Sequence, residues 1–281
     1  MCMVIDFHTH IFPPRIIKLR QAILEKDLTL KTLYSNDSRS MITSSHLIES
    51  MNHAKIDYSV LLGIGWNDKQ LARESNDYIL ESASKENRFI PFCSINPLWG
   101  NDAVKEITRC AKMGAKGIGE LHPDTQQFDI GNHKLMEPIM TAAKSLGLIV
   151  LTHSSEPVGH SYPGKGQTTP DKLLSFIQNF PSNLIVCAHW GGGLPFYSLM
   201  PEVSISMANT YFDSAASPFL YKQSIFQVIP TFISSSQILF GTDYPLLSQL
   251  RVLSQIRDSN LDTKDKNLIM GENASKLLNI K

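Results

Sequence analysis

Two histidines two positions apart, His8 and His10, end an apolar run near the N-terminus, in "VIDFHTHIFPP" (residues 4–14). In an extended segment successive side chains alternate faces. Both imidazoles therefore leave the strand on the same side, roughly 6.5 Å apart along the chain. Four other short apolar runs end in the same kind of residue. Glu120 stands in "GIGELHP", His153 in "VLTHSS", His189 in "VCAHWGGG" and Asp243 in "LFGTDYP". Neutral imidazoles and carboxylates are ligands for zinc, and also for manganese, iron, cobalt or nickel. An unpaired carboxylate among apolar strands would protonate or cost several kcal/mol, and a divalent cation removes that cost. Each residue alone has a plainer reading: a hydrogen-bonded histidine at a strand end, a turn in "GTD", a salt-bridge partner at Glu120. Five separate strand ends carrying such residues together point to a metal site.

The elements that must position them recur in one pattern. Eight segments read as strands buried on both faces: 3–10, 58–65, 88–95, 115–122, 148–153, 184–189, 209–215 and 237–243. Helical stretches lie between them. "DAVKEITRCAKMG" and "HKLMEPIMTAAKSLG" each stop at a glycine, and "PDKLLSFIQNFP" has proline at both ends. Alternating strands and helices imply a parallel sheet, and eight such units fit a (β/α)8 barrel. A doubly wound sheet would need a glycine-rich loop after the first strand, where this chain has "HTHIFPP". In the barrel, all the polar strand ends meet at the C-terminal mouth. Pro13 and Pro14 are expected to end the first strand. Residues 11–42 read as an insert lying over that mouth. Asn273 is expected to cap a last helix that docks through Leu277 and Leu278.

Composition narrows the partners. The 281 residues carry 26 basic and 26 acidic side chains, so no basic face is available for a polynucleotide or an anionic membrane. The four cysteines, Cys2, Cys93, Cys110 and Cys187, form no C-x-x-C pair and read as free thiols of a reducing compartment. The N-terminus has no basic leader pattern, and no uncharged apolar run reaches the ~20 residues of a membrane span. The expectation is a single-domain cytoplasmic enzyme over residues 1–281. It would act on a small molecule, with a homodimer the general prior for barrel enzymes.

The ordered set "DFHTHIF", a histidine after strand five, "AHWGGG" and "GTDYP" resembles the amidohydrolase superfamily. The nearest branch in pattern is the amidohydrolase-2 group, which includes the aminocarboxymuconate-semialdehyde decarboxylases. The resemblance spans nearly the whole chain and implies a metal-bearing (β/α)8 TIM barrel. It implies that His8, His10, His153 and Asp243 are metal ligands. His189 would be either a ligand of a second metal or a catalytic histidine that polarises the substrate. In binuclear relatives the fourth strand supplies a bridging group. Glu120 stands there, which leaves one or two ions open, with Zn2+ the expected metal. Lys116, one layer deeper, ranks below Glu120.

A divalent metal lowers the pKa of bound water toward ~7. Asp243 would accept that proton and deliver it to the leaving group, while His189 helps polarise the scissile carbonyl. The leading expectation is therefore hydrolysis of an amide, ester or lactone. The alternative, also implied by the resemblance, is non-oxidative decarboxylation of an unsaturated or aromatic acid. Phosphoester hydrolysis and a non-catalytic binding role rank below both. Candidate cations for a substrate carboxylate are Arg15, Arg39 and Lys165. His122 reads as a loop or substrate residue, and Trp190 as pocket wall or core. Glu156, His160 and Tyr162, in the long loop after strand five, would face the mouth.

Overall fold

In the computed structural model, which describes residues 3–36 and 39–280, each of the eight apolar runs contains a strand. They are β1 (Ile5–His10), β2 (Tyr58–Leu62), β3 (Phe89–Cys93), β4 (Gly117–Leu121), β5 (Ile149–Thr152), β6 (Ile185–Cys187), β7 (Thr210–Asp213) and β8 (Ile238–Leu239). All neighbours pair in parallel, in chain order β1 to β8. The ring closes through the chain beyond β8. Phe7 N–H donates to Phe240 O (2.7 Å), Asp243 N–H to His8 O (2.9 Å) and His10 N–H to Tyr244 O (2.8 Å). This is the expected (β/α)8 barrel.

Two apolar layers follow from strands buried on both faces. Ile5, Phe7, Val60, Phe92, Leu151 and Leu239 are among the residues packed together inside the barrel. The larger cluster joins alternate strand residues, such as Leu61, Ile118 and Phe212, to the surrounding helices. Those helices include α4 (Ser44–Ala54), α5 (Lys69–Lys85), α6 (Asn101–Lys112), α7 (His133–Ser145) and α8 (Pro170–Asn179), preceded by the short α1 to α3 below. Cys93, Cys110 and Cys187 are buried free thiols, and Cys2 lies outside the described residues. No helix among the described residues is long and apolar enough to cross a membrane.

Between β1 and α4 the chain forms three short helices, α1 (Pro14–Lys18), α2 (Arg20–Ile23) and α3 (Leu28–Tyr34). The double proline thus opens a helix as well as ending a strand: Pro14 takes the first helical position, where a missing N–H costs nothing. Asp27 caps α3 by accepting from Leu30 N–H (2.9 Å). Its other oxygen accepts from the N–H groups of Asn67 (2.7 Å) and Asp68 (2.9 Å), and Thr29 donates to Gly65 O (2.7 Å). These bonds tie the segment to the loop after β2, at the C-terminal end of the barrel.

The C-terminal reading needs one correction. Asp262 caps the helical stretch that begins at Thr263, and a single π-turn at Leu268–Glu272 joins it to Asn273–Leu278. Asn273 is therefore not a cap. Its side-chain amide donates to Ser235 O and Ile238 O (2.8 Å each), pinning the last helix to the start of β8. At Gly271 a Cβ would fall 2.0 Å from Met3 O. Gly271→Ala is expected to lower stability by roughly 1–3 kcal/mol, as overpacking does. Thermal denaturation reads this out, and an unchanged midpoint would contradict the close packing of the last helix on the N-terminal segment.

Candidate active site

Four of the strands and turns that carry the polar cluster depart from regular geometry where its residues sit. The β1–β2 register shifts between Asp6 and Thr9, and the β4–β5 register shifts between Ile118 and Leu121. Such bulges re-aim side chains beside active sites. Gly119 makes the second possible: its φ is +153°, and a Cβ there would lie 2.8 Å from Leu151 O. Glu120 N–H then donates to Gly63 O (3.1 Å). His189 and Trp190 have left-handed backbone (φ 55° and 58°), continued by Gly191, Gly192 and Gly193. Asp243 lies four residues past β8, also left-handed (φ 64°). Non-glycine residues are sparse in that region.

The outcome is a compact buried cluster. His8 Nε2 and His10 Nε2 are 3.2 Å apart. Asp243 Oδ1 lies 3.3 Å from His10 Nε2 and 3.9 Å from His8 Nε2. Glu120 Oε2 lies 3.7 Å from His8 Nε2 and 3.8 Å from His10 Nε2. The other Glu120 oxygen, Oε1, faces His153 Nδ1 (3.0 Å) and His189 Nε2 (3.5 Å). Two trios bring ligand atoms within 4.8 Å of one another: His8, His10 and Asp243, and His8, Glu120 and His189. His153 joins neither trio and reaches the cluster through Glu120.

Hydrogen bonds on the far side of the rings fix which nitrogens face inward. His8 Nδ1 donates to Asp213 Oδ2 (2.8 Å), His10 Nδ1 to Leu62 O (3.3 Å) and His189 Nδ1 to Ala215 O (3.1 Å). Those bonds leave the three Nε2 atoms turned toward the two carboxylates. Burial opposes charge on His8, yet Asp213 and Glu120 hold its pKa well above the ordinary histidine value. Burial likewise opposes charge on His189, but Glu120 and Asp243 lift it to about 9. Burial alone would raise Glu120, but His153, His189 and His8 hold it well below the usual carboxylate range. Asp243 is lowered in the same way, chiefly by His10 and His8 against its burial. Inward nitrogens with anchored outer ones, facing two carboxylates, are a set of groups that could hold a divalent cation.

Asp213 organises this set, and the sequence reading passed over it. Besides His8, it accepts from His189 N–H (2.9 Å) and Ala215 N–H (3.0 Å), so one carboxylate positions two of the cluster histidines. The signal was available: Asp213 is the polar residue closing β7, chosen by the same rule that found the others.

The cluster forms the floor of a cavity of about 600 Å³. Its walls include Leu33 and Tyr34 from α3, Arg39, Ile64, Phe219 and Leu246. His160, Tyr162 and Pro163 of the loop after β5 also line it. Tyr34 was not foreseen. Burial, then the nearby Asp243, push its hydroxyl pKa far up, and its ring packs edge-on against Phe12 (5.1 Å). His122 lines the cavity, stacked on His153 with ring centres 4.0 Å apart and planes at 11°. Burial, then the neighbouring His153, push its pKa down to about 3, so it is neutral.

Several expected contacts fall elsewhere. Arg15 is exposed and its guanidinium pairs with Glu74, so it belongs to the surface. Trp190 is fully buried, donates from Nε1 to Ser217 Oγ (2.6 Å) and packs edge-on against Phe226, so it is core. Lys165 donates to Val158 O (2.7 Å) and His160 O (3.0 Å), which braces its own loop. Lys116 is exposed ahead of β4, far from Glu120's end of the strand.

The chain matches the family model described as amidohydrolase (Amidohydro_2) over residues 5–280, and it belongs to that family. No curated protein sequence matches it closely enough to be paired with it. Among solved structures, it is similar to 5-carboxyvanillate decarboxylase from Sphingomonas paucimobilis (TM-score 0.82, 15% identity, 100% of each chain covered). It is also similar to 2,6-dihydroxybenzoate decarboxylase from Rhizobium (TM-score 0.79, 17% identity, 99% of each chain). A third is the 5-carboxyvanillate decarboxylase of Novosphingobium aromaticivorans, complexed with manganese and 4-hydroxy-3-methoxy-5-nitrobenzoic acid (TM-score 0.78, 17% identity, 99% of this chain and 96% of that one). At these identities the likeness establishes the shared barrel.

Asp213→Ala is expected to weaken divalent-metal binding by about 10–100-fold, the usual cost of removing such an outer partner. Titration of the metal-free protein with manganese measures it. Unchanged affinity would contradict the anchoring role.

Proposed function

We propose that this amidohydrolase-family enzyme is a divalent-metal-dependent decarboxylase of a hydroxylated aromatic or similarly unsaturated carboxylic acid. The observation that carries this reading is the cluster of inward nitrogens and carboxylates at the floor of a partly apolar cavity with an arginine in its wall. His8, His10, Asp243 and Glu120 would hold the cation, with His153 and His189 against Glu120's other oxygen. Manganese fits this oxygen-and-imidazole set as well as zinc does, so the expectation of Zn2+ widens to either ion. Once bound, the cation supplies a fixed positive charge that orients and steadies substrate oxygens. Arg39 has no side-chain partner among the described residues and receives a second anionic group. Leu33, Ile64, Phe219 and Leu246 flank a flat ring and keep water off it.

The proton path runs through Asp243. Its carboxylate takes the proton of the substrate's ring hydroxyl and passes it to the ring carbon that bears the carboxylate. The carbon–carbon bond then breaks, its electron pair returns to the ring, and carbon dioxide leaves. Solvent restores the proton to the product's phenolate. His189 Nε2, held by Ala215, donates to the substrate carboxylate or its neighbouring oxygen while charge moves.

Hydrolysis stands as a second reading on one observation: the two oxygens of Glu120 face two different histidine pairs, as they would in a site that holds two ions and activates water.

The test is a panel of hydroxybenzoic and unsaturated dicarboxylic acids, incubated with the manganese- or zinc-loaded enzyme and assayed for released carbon dioxide. Turnover of at least one acid is expected, lost on chelation and restored by added metal. Asp243→Asn is expected to cut kcat by about 10²–10⁴-fold. Cleavage of an amide or lactone, with no acid decarboxylated, would replace this reading with the hydrolytic one.

A further inference from the structure

The outer nitrogens of His8, His10 and His189 are each tied to a carboxylate or carbonyl. His153 differs. Its Nδ1 faces Glu120, while its Nε2 is buried and has no hydrogen-bond partner among the described residues. The edge of the His189 ring lies 4.8 Å away at 67°, and further restraint on the plane of His153 matters because a ring free to rock would carry Glu120 with it. Among the described residues, the aromatic ring lying parallel to it is His122, at 4.0 Å and 11°.

We propose that His122 is a positioning residue, whose ring face holds the plane of His153 in place of the hydrogen bond that the other cluster histidines have. Parallel contact of two flat rings restrains tilt without needing a polar atom. Neither ring nitrogen of His122 has a partner among the described residues, so its face is the part in use. The platform itself is rigid. His122 N–H donates to Gln126 Oε1 (2.9 Å), and Gln126 N–H donates back to His122 O (2.9 Å). The Gln126 amide also donates to Trp66 O (3.0 Å) and Ile95 O (2.8 Å), which ties His122 to the loops after β2 and β3. Behind it, a Cβ added to Gly65 would lie 2.7 Å from His122 Cβ, so the backbone is packed tightly on that side. The stack therefore passes order from the barrel scaffold to His153, and through His153 to Glu120. The inference rests on the reading that Glu120 and its histidines hold the cation.

Two substitutions separate a ring face from a hydrogen-bonding or space-filling role. His122→Phe keeps a flat ring and removes both nitrogens. His122→Leu keeps similar volume and removes the flat face. Titration of the metal-free protein with cobalt(II) is expected to give His122→Phe an affinity within about threefold of the parent and the same visible absorption bands. His122→Leu is expected to bind about tenfold more weakly, with shifted bands. A Phe variant that weakens as much as the Leu variant overturns the proposal, and so does a Leu variant that binds like the parent. If the Leu variant does not fold, loss of affinity in the Phe variant alone still overturns it. A metal-free readout keeps the two ideas apart. Carbon-13 relaxation at the His153 ring should show a rigid ring in the parent and His122→Phe, and a mobile one in His122→Leu. Equal rigidity in all three overturns the stack even where metal binds. Absent cobalt uptake by the parent, with that contrast intact, overturns the metal reading and leaves the stack standing.

Discussion

Two imidazole nitrogens 3.2 Å apart, with no hydrogen bond able to satisfy both as neutral acceptors, set the terms for this structure. His8 and His10 each spend their outer nitrogen on a fixed oxygen, Asp213 in one case and Leu62 O in the other. Two lone pairs then point at one small volume, together with oxygens of Glu120 and Asp243. Positive charge must lie there. A proton satisfies part of the set: against its burial, Asp213 and then Glu120 hold the pKa of His8 well above the ordinary histidine value. A divalent ion satisfies all of it, since carboxylates and neutral imidazoles can then share one centre.

The barrel is the means of holding that arrangement under strain. Parallel strands buried on both faces favour a polar cluster toward their C-terminal ends, and this one sits where the sheet stops. The irregularities gather at the same level: bulges in β1 and β4, left-handed backbone at His189, Trp190 and Asp243. Conformations of this kind persist only where surrounding contacts over-determine them. The bonds that Asp6 accepts from Thr242 N–H (3.0 Å), Thr242 Oγ1 (2.6 Å) and Gln249 Nε2 (2.7 Å) are such contacts, locking β1 to the segment that carries Asp243.

Much of this was legible in the sequence, and the misses have physical causes. Continuous apolar runs locate all eight strands, and the polar residues ending them give His8, His10, Glu120, His153, His189 and Asp243 as one group, of which His153 reaches the cluster through Glu120. Alternation could not show the bulges, although a glycine inside "GIGEL" is the usual mark of one. Nor could it show that β8 shrinks to Ile238–Leu239 and leaves Asp243 in a turn. Trp190 reads as a pocket wall only if the chain after β6 continues in the ordinary hand; its left-handed turn buries the indole instead. Arg15 and Lys165 suit a substrate anion by charge and by position after β1 and β5, but Glu74 claims the first and the carbonyls of Val158 and His160 the second. Tyr34 carried no signal, because its place depends on how Asp27 ties the inserted helices to the loop after β2.

Family membership and the barrel give the cluster its scaffold, and a cavity lies above it. What joins them is the pair of inward nitrogens of His8 and His10, 3.2 Å apart, where a divalent cation would sit. Diffraction from crystals grown with manganese, recorded at wavelengths on both sides of its absorption edge, locates it directly. An anomalous peak bounded by the Nε2 atoms of His8 and His10 and by oxygens of Asp243 and Glu120 is expected. A fully loaded protein with no peak at that point, or with its manganese elsewhere, would contradict the central claim.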